Sequence, residues 1–258
     1  MPIIIKTPEQ IARMRTACQL AVEVLTMLDQ KVKPGVTTEE LNILCHEFIL
    51  ANDAIPAPLN YKGFPKSICT SINHVVCHGI PNDKPLRNGD IINVDVTVIK
   101  DGMHGDTSKM YAVGHCSPIS QRLMQVTKQA LYEGINVVKP GAKLGDIGHA
   151  IQKFSEAEGF SVVRDFCGHG IGEKFHEDPQ VLHYGKRNTG ISLSEGMIFT
   201  IEPMINIGKP DTKILSDNWT AVTRDRSLSA QWEHTCLVTA DGCEILTLRP
   251  DETKDNMV

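Results

Sequence analysis

Two stretches of this chain repeat each other, in the same order and at nearly the same spacing. Val32-Lys33-Pro34-Gly35 returns as Val138-Lys139-Pro140-Gly141, an offset of 106 residues. Leu86-Arg87-Asn88-Gly89-Asp90-Ile91-Ile92-Asn93-Val94-Asp95 aligns with Leu193-Ser194-Glu195-Gly196-Met197-Ile198-Phe199-Thr200-Ile201-Glu202 at an offset of 107. In the first register Phe48 falls on Phe154, Ala51 on Ala157, and Leu41 agrees in kind with Ile147. Shared order and shared offset favour a duplication over a chance likeness of two similar units. The expected fold is α+β: a single domain over residues 1–258, built from pseudo-symmetric αα-β halves at about 1–115 and 116–258. Helices should cover one face of a shared, mainly antiparallel sheet.

The helices announce themselves. Thr7-Pro8-Glu9-Gln10 combines a threonine cap, a proline at the first helical position and a glutamine that closes a capping box. Ile11, Met14, Cys18, Ala21, Leu25 and Leu28 then recur at spacings of three and four. Lys33-Pro34-Gly35 ends that helix, and a second is predicted from Thr37 or Thr38 with Leu41, Leu44, Phe48 and Ala51 among its apolar positions. Residues 118–138 are again helical in pattern.

At 258 residues, with 41% apolar and 22% charged side chains, the chain can bury a core without disulfides or structural metal. A net charge of −5 without a dense Lys/Arg run argues against a dedicated nucleic-acid binder. No window approaches ~18 consecutive apolar residues, and residues 1–6 resemble no secretory signal. The expectation is a soluble, cytoplasmic protein. Its eight cysteines include no C-x-x-C pair, so free thiols are expected rather than disulfides or a zinc finger.

Each half places two carboxylates on strand-like sequence. Asp95 lies in Ile91-Ile92-Asn93-Val94-Asp95-Val96-Thr97, with Asn93 and Thr97 on the same strand face, and Asp106 follows the turn Lys100-Asp101-Gly102. Glu202 ends Ile198-Phe199-Thr200-Ile201, and Glu233 lies in Gln231-Trp232-Glu233-His234-Thr235. Acids within apolar strands are costly to bury unless paired or bound to metal, and four together repel one another. Gly168-His169-Gly170-Ile171-Gly172 is too glycine-rich for a helix and carries His169 on a tight backbone; His176 and His78 lie near further glycine and turn residues. Carboxylates with one imidazole form a mostly hard ligand set, suited to two divalent ions such as Mn, Fe, Co or Zn.

At these residues the chain resembles the methionine aminopeptidases of the wider pita-bread metallopeptidase family. The resemblance rests on Phe166-Cys167-Gly168-His169-Gly170-Ile171-Gly172 with His176 and Val181-Leu182-His183-Tyr184. Asn93-Val94-Asp95, Gly105-Asp106-Thr107, Ile201-Glu202-Pro203-Met204 and Glu233-His234-Thr235 extend it from Thr7 to about Leu248. It implies a pita-bread fold with a curved sheet. Asp95 would bind one divalent ion, His169 and Glu202 the other, and Asp106 with Glu233 would bridge them. Glu202 would also act as general base, His176 would stabilise the gem-diolate oxygen, and His78 would bond the scissile amide nitrogen. Tyr61, Phe64, Cys69, Phe175 and Trp219 would form the methionine pocket, with Phe64 standing where tyrosine is common. Asn73, Val75 and Ser229 fall where the family often holds a monovalent cation.

The implied activity is removal of methionine from nascent polypeptides with a small, uncharged second residue. The implied protein is a monomer with transient ribosome contact, no specific nucleic-acid sequence and no membrane. The 31 residues from Glu202 to Glu233 leave no room for the helical insertion of the second type, so the chain resembles the compact type I form. A proline-specific aminopeptidase or dipeptidase of the same fold stays open, although such enzymes usually carry an extra N-terminal domain. A non-catalytic pita-bread binding protein is disfavoured because all five ligand positions are filled, and a metal storage or stress protein would have no use for them. His46, His149, His104 and His115 are read as structural, and strand alternation turns His234 away from Glu233.

Overall fold

Thr7 caps the first helix as its sequence predicts: its hydroxyl accepts the Gln10 N–H at 3.2 Å while the Gln10 side chain accepts the Thr7 N–H at 3.0 Å. The computed structural model describes residues 3–252; residues 1, 2 and 253–258 of the expected domain span lie outside the described residues. The chain runs through α1 (Pro8–Leu28), α2 (Thr38–Ala51), β1 (Ile55–Pro56), β2 (Cys69–Ile72), β3 (Val75–Cys77), β4 (Ile91–Lys100) and β5 (Met103–Ala112). It continues through α3 (Pro118–Ile135), α4 (Leu144–Ala157), β6 (Ser161–Val162), β7 (Gly168–Gly170), β8 (Glu177–Val181), β9 (Ile198–Ile201) and β10 (Met204–Asn206). The last strands are β11 (Thr212–Ile214), β12 (Ala221–Thr223), β13 (Ser229–Gln231), β14 (His234–Val238) and β15 (Cys243–Ile245).

The repeat in the sequence is a repeat of hydrogen bonds. Gly35 N–H bonds Leu86 O at 2.8 Å and Gly141 N–H bonds Leu193 O at 2.9 Å. Leu86 N–H returns to Val36 O, and Leu193 N–H returns to Ala142 O, each at 2.8 Å. Thr37 bridges Pro85 just as Lys143 bridges Ser192. Each half therefore ties the turn between its two helices to the turn before its main strand.

The described strands pair antiparallel throughout, in four ladders: β1-β4-β2 with β5 on β4, β13-β10-β6, β11-β12-β3, and β15-β14-β9-β7-β8. The Ser108–Glu233 bridge joins the first ladder to the last. Helix α1 packs on β4 and β5, and α3 lies against β13, β10 and β9. Each half has its own main cluster of buried side chains, and Ile91 and Met110 of the first half belong to the cluster of the second. In α2 the fully buried apolar positions are Leu41, Cys45 and Ile49, spaced by four; Leu44 and Phe48 are half-buried and Ala51 is exposed. The buried stripe is thus rotated from the one the sequence suggests, because α1 and β1 cover the side that carries Cys45, which packs there as a small hydrophobe.

A buried ionic cluster fixes the last described residues. Arg249 donates to Glu252 at 2.8 Å, to Thr107 Oγ1 at 3.1 Å and to Ser108 O at 3.3 Å. Burial pushes His234 down to about 4, aided by Arg249, so the ring is neutral at pH 7. Burial alone would raise the Glu252 carboxyl, but hydrogen bonds from His234 and Arg249 and the charge of Arg249 hold it well below its ordinary value. Arg249→Met should therefore cost about 3 kcal/mol of unfolding free energy, because it removes the buried partner of Glu252 and leaves the carboxylate with Lys128, 3.0 Å away and partly exposed, as its cation. Adding Glu252→Gln should recover much of that loss in urea unfolding. An unchanged midpoint for Arg249→Met would refute the assignment.

Candidate active site

The turn residues Asp101 and Gly102 have φ of 50° and 75°, the left-handed pair of a type I′ hairpin. That turn sets Lys100 opposite Met103 and hence Thr97 opposite Asp106 and Asp95 opposite Ser108. Thr97 Oγ1 donates to Asp106 Oδ1 at 2.7 Å. In the second half, Ile201 of β9 pairs with His234 of β14, so Glu202 and Glu233 leave the ladder side by side. The two hairpins meet through reciprocal bonds: Thr107 Oγ1 donates to Glu233 O at 2.8 Å and Thr235 Oγ1 to Asp106 O at 2.7 Å.

Asp95, Asp106 and Glu233 each present a carboxylate oxygen within 4.8 Å of the others. Asp106 and Glu233 are only 3% and 2% exposed. Glu202 accepts from Thr200 Oγ1 at 2.8 Å and from Gln231 Nε2 at 3.3 Å. Gly168 and Gly170 bring the His169 backbone against its neighbours: a Cβ at either would lie 2.2 Å from a backbone oxygen, of Thr200 and Asp178 respectively. The His169 Nδ1–H donates to Gly170 O at 2.9 Å, which leaves the Nε2 lone pair facing the carboxylates. Nε2 stands 3.7 Å from Asp106 Oδ2 and 3.8 Å from Glu202 Oε1, convergent but too long for hydrogen bonds.

The electrostatics follow from burial and crowding. Burial raises the Asp95 carboxyl to about 7. Burial and then the charge of Asp95 push Asp106 well up; burial and Asp106 do the same to Glu202 and Glu233. Burial lowers His169 to about 4 and, with His169 nearby, His176 to about 3, so both rings are neutral at pH 7. Burial also lowers His78.

These groups line a cavity of about 480 Å³, together with Tyr61, Phe64, Cys69, His78, Phe175, His176 and Trp219. Every residue expected at the divalent-ion site, the auxiliary histidines and the methionine pocket is therefore in one place. Tyr61 lies 5.0 Å from Phe175, and Phe64 sets its edge against Trp219 at 5.2 Å, itself only 2% exposed. His78 takes a left-handed φ of 56°, strained for a residue with a side chain, with its ring edge-on to Phe166 at 5.5 Å. Asn73 and Ser229 meet outside this cavity, where Ser229 N–H bonds Asn73 O at 2.9 Å, while Val75 pairs with Val222 in the adjoining ladder.

Sequence reasoning missed several supporting groups. Thr200 and Thr97 sit beside their acids with the strand alternation that already marked Asp95. His183 is fully buried and its Nε2 accepts the Glu202 N–H at 3.1 Å, a role no spacing rule reveals. His104, read as structural, lies under the cavity wall: it stacks on Phe175 at 5.5 Å and its Nδ1 bonds Gly172 O at 2.9 Å. His234 keeps to the opposite side of its strand, bonding Thr247 at 2.9 Å. Asn218 adopts a left-handed φ of 64° beside Trp219 of the cavity wall.

A model of metallopeptidase family M24 matches residues 12–240. The chain belongs to metallopeptidase family M24. This M24 metallopeptidase is 63% identical over 252 residues to the methionine aminopeptidase of Rickettsia prowazekii, covering 97% of both chains. It is 59% identical over 255 residues to that of Escherichia coli K12, covering 98% of this chain and 97% of the relative. The crystal structure of the Rickettsia prowazekii enzyme superposes with a TM-score of 0.95 at 62% identity, over 96% of this chain and all of that one. The expected pita-bread fold is the fold observed.

The donor set of this M24 metallopeptidase fits divalent cations. Clustered carboxylates need positive charge nearby, and the His169 lone pair is already turned towards them. Ion uptake must displace the protons that the raised carboxylates retain, whereas His169 has none to lose. Affinity for Mn²⁺ or Zn²⁺ should therefore rise from pH 6 to pH 8, with proton release detected calorimetrically in buffers of different ionisation heat. Affinity independent of pH, with no proton release, would contradict this account of the site.

Proposed function

We propose that this metallopeptidase removes the N-terminal methionine from polypeptides whose second residue is small and uncharged. The observation that carries the reading is one cavity with carboxylates and an imidazole at one side and Tyr61, Phe64, Phe175 and Trp219 around it. Methionine is unbranched and its sulfur packs well on aromatic edges, while a charged side chain would lose its hydration there. The methionine aminopeptidases of Rickettsia prowazekii and Escherichia coli K12, at 63% and 59% identity, support the same activity.

Asp95 would hold one divalent ion, His169 and Glu202 a second, and Asp106 with Glu233 both, with Co, Mn, Fe or Zn suited to the set. When bound, such ions polarise a carbonyl and bring the pKa of a water towards ~7. Glu202 takes the proton of the attacking water on its carboxylate and hands it to the leaving amine. His176 donates a hydrogen bond to the gem-diolate oxygen, and His78 bonds the scissile amide nitrogen. Tyr61, Phe64, Cys69, Phe175 and Trp219 hold the methionine side chain. Asn73, Val75 and Ser229 would take a monovalent cation, a reading supported by a buried Ser229 Oγ without a hydrogen-bond partner among the described residues.

The chain acts as one catalytic domain and a monomer, on nascent chains in the cytoplasm and in transient contact with the ribosome. No described helix is long and apolar enough to cross a membrane. Peptides starting Met-Ala, Met-Gly and Met-Ser should be cleaved and those starting Met-Lys or Met-Leu hardly at all. Equal cleavage of Met-Ala and Met-Lys, efficient release of leucine or lysine, or a preference for X-Pro would overturn the specificity. His176→Ala should lower kcat by ~10²–10³ while keeping the metal content measured by atomic emission, the usual effect of losing one oxyanion donor. Loss of metal instead would make His176 a ligand.

A further inference from the structure

The hydroxyl of Tyr61 lies 3.0 Å from Nδ1 of His176. The two residues are 115 positions apart in sequence, and the loop carrying Tyr61 is built to hold it still. Asn60 N–H bonds Phe64 O at 2.8 Å, Tyr61 N–H bonds Pro58 O at 3.0 Å, and Phe64 N–H bonds Tyr61 O at 2.9 Å. Asn60 and Lys62, on either side, have left-handed φ of 66° and 48°, a conformation asparagine tolerates and lysine rarely adopts. The Tyr61 ring also stacks on the His176 ring at 5.3 Å and 24°. Phe175 and His169 pack against the same imidazole at 4.4 and 4.2 Å.

A neutral imidazole carries one N–H, and its position follows from the bond made by the other nitrogen. Were Nδ1 to hold the proton and donate to the tyrosine, Nε2 would offer a lone pair, which repels a developing oxyanion. With the tyrosine donating to Nδ1, Nε2 holds the proton. We propose that the Tyr61 hydroxyl is the positioning group of His176, keeping its N–H on Nε2, the nitrogen free to meet a substrate oxygen. This rests on the oxyanion role proposed for His176 and gives Tyr61 a task distinct from the contact its ring makes with a methionine side chain.

Tyr61→Phe removes the hydroxyl and keeps the ring. On Met-Ala-Ser it should lower kcat about tenfold, the scale of one lost hydrogen bond, and leave KM within about twofold. In a His176→Ala background the same change should add nothing, since its effect passes through the imidazole. Equal losses in both backgrounds would reduce Tyr61 to a pocket wall and overturn the proposal. Independently of any activity, ¹H–¹⁵N correlation of the histidine rings in the zinc-loaded protein should give the Nε2–H tautomer for His176, and a shift away from it in Tyr61→Phe. An unchanged tautomer in that variant would overturn the proposal even if peptide cleavage is as expected. If no peptide is cleaved, the oxyanion reading fails while the spectrum still decides whether Tyr61 sets the ring.

Discussion

Mutual repulsion among carboxyl groups held away from bulk water is the constraint around which this molecule is arranged. Asp95, Asp106, Glu202 and Glu233 would each be better solvated on the surface, and their raised affinity for protons measures that penalty. Only donors brought to fixed positions, and cations, offset it. Thr97 and Thr200 supply hydroxyl donors, Gln231 an amide, and His169 a neutral nitrogen directed by its own bond to Gly170. The type I′ turn, the glycines flanking His169 and the Thr107–Thr235 exchange serve the same end. Each removes freedom that would let the acids move apart.

The duplicated architecture explains how a single chain meets that demand. Each half supplies one main strand with an acid, Asp95 within β4 and Glu202 just past β9, its depth set by the same pair of turn-to-turn hydrogen bonds. The halves diverge where chemistry requires it. The first contributes two aspartates, while the second contributes two glutamates and the histidine on the glycine-rich β7–β8 hairpin. The added reach of the glutamate side chains suits positions at the ends of β9 and β14 rather than within a long ladder.

Much of this was legible in the sequence because it rests on local rules. The capping box at Thr7, the Asp101-Gly102 turn and the alternation that aligns Asn93, Asp95 and Thr97 depend on residues within a few positions of one another. The acids could be singled out because they interrupt apolar strands, and the family resemblance assigned them expected roles. The supporting contacts were less visible. His183 meets the backbone of Glu202 across 19 residues, Tyr61 meets His176 across 115, and Arg249 meets Thr107 across 142. Such pairings depend on how elements pack, and a residue that stands out in its own stretch of chain does not reveal which distant group it meets. The buried stripe of α2 was displaced for the same reason: periodicity gives a helix its apolar side, but the neighbouring strands choose which part of that side is covered.

The exchange between Thr107 and Thr235 has a mechanical meaning. Each hydroxyl grips the backbone carbonyl of an acidic residue in the other half, so sliding one half along the other breaks both bonds together and separates Asp106 from Glu233. Alignment of the halves and spacing of the donors are one coordinate. A cation held by the aligned donors would therefore stabilise the seam as well, by an amount that grows with the logarithm of its affinity. The duplicated fold acts as a vice whose jaws are its two hairpins.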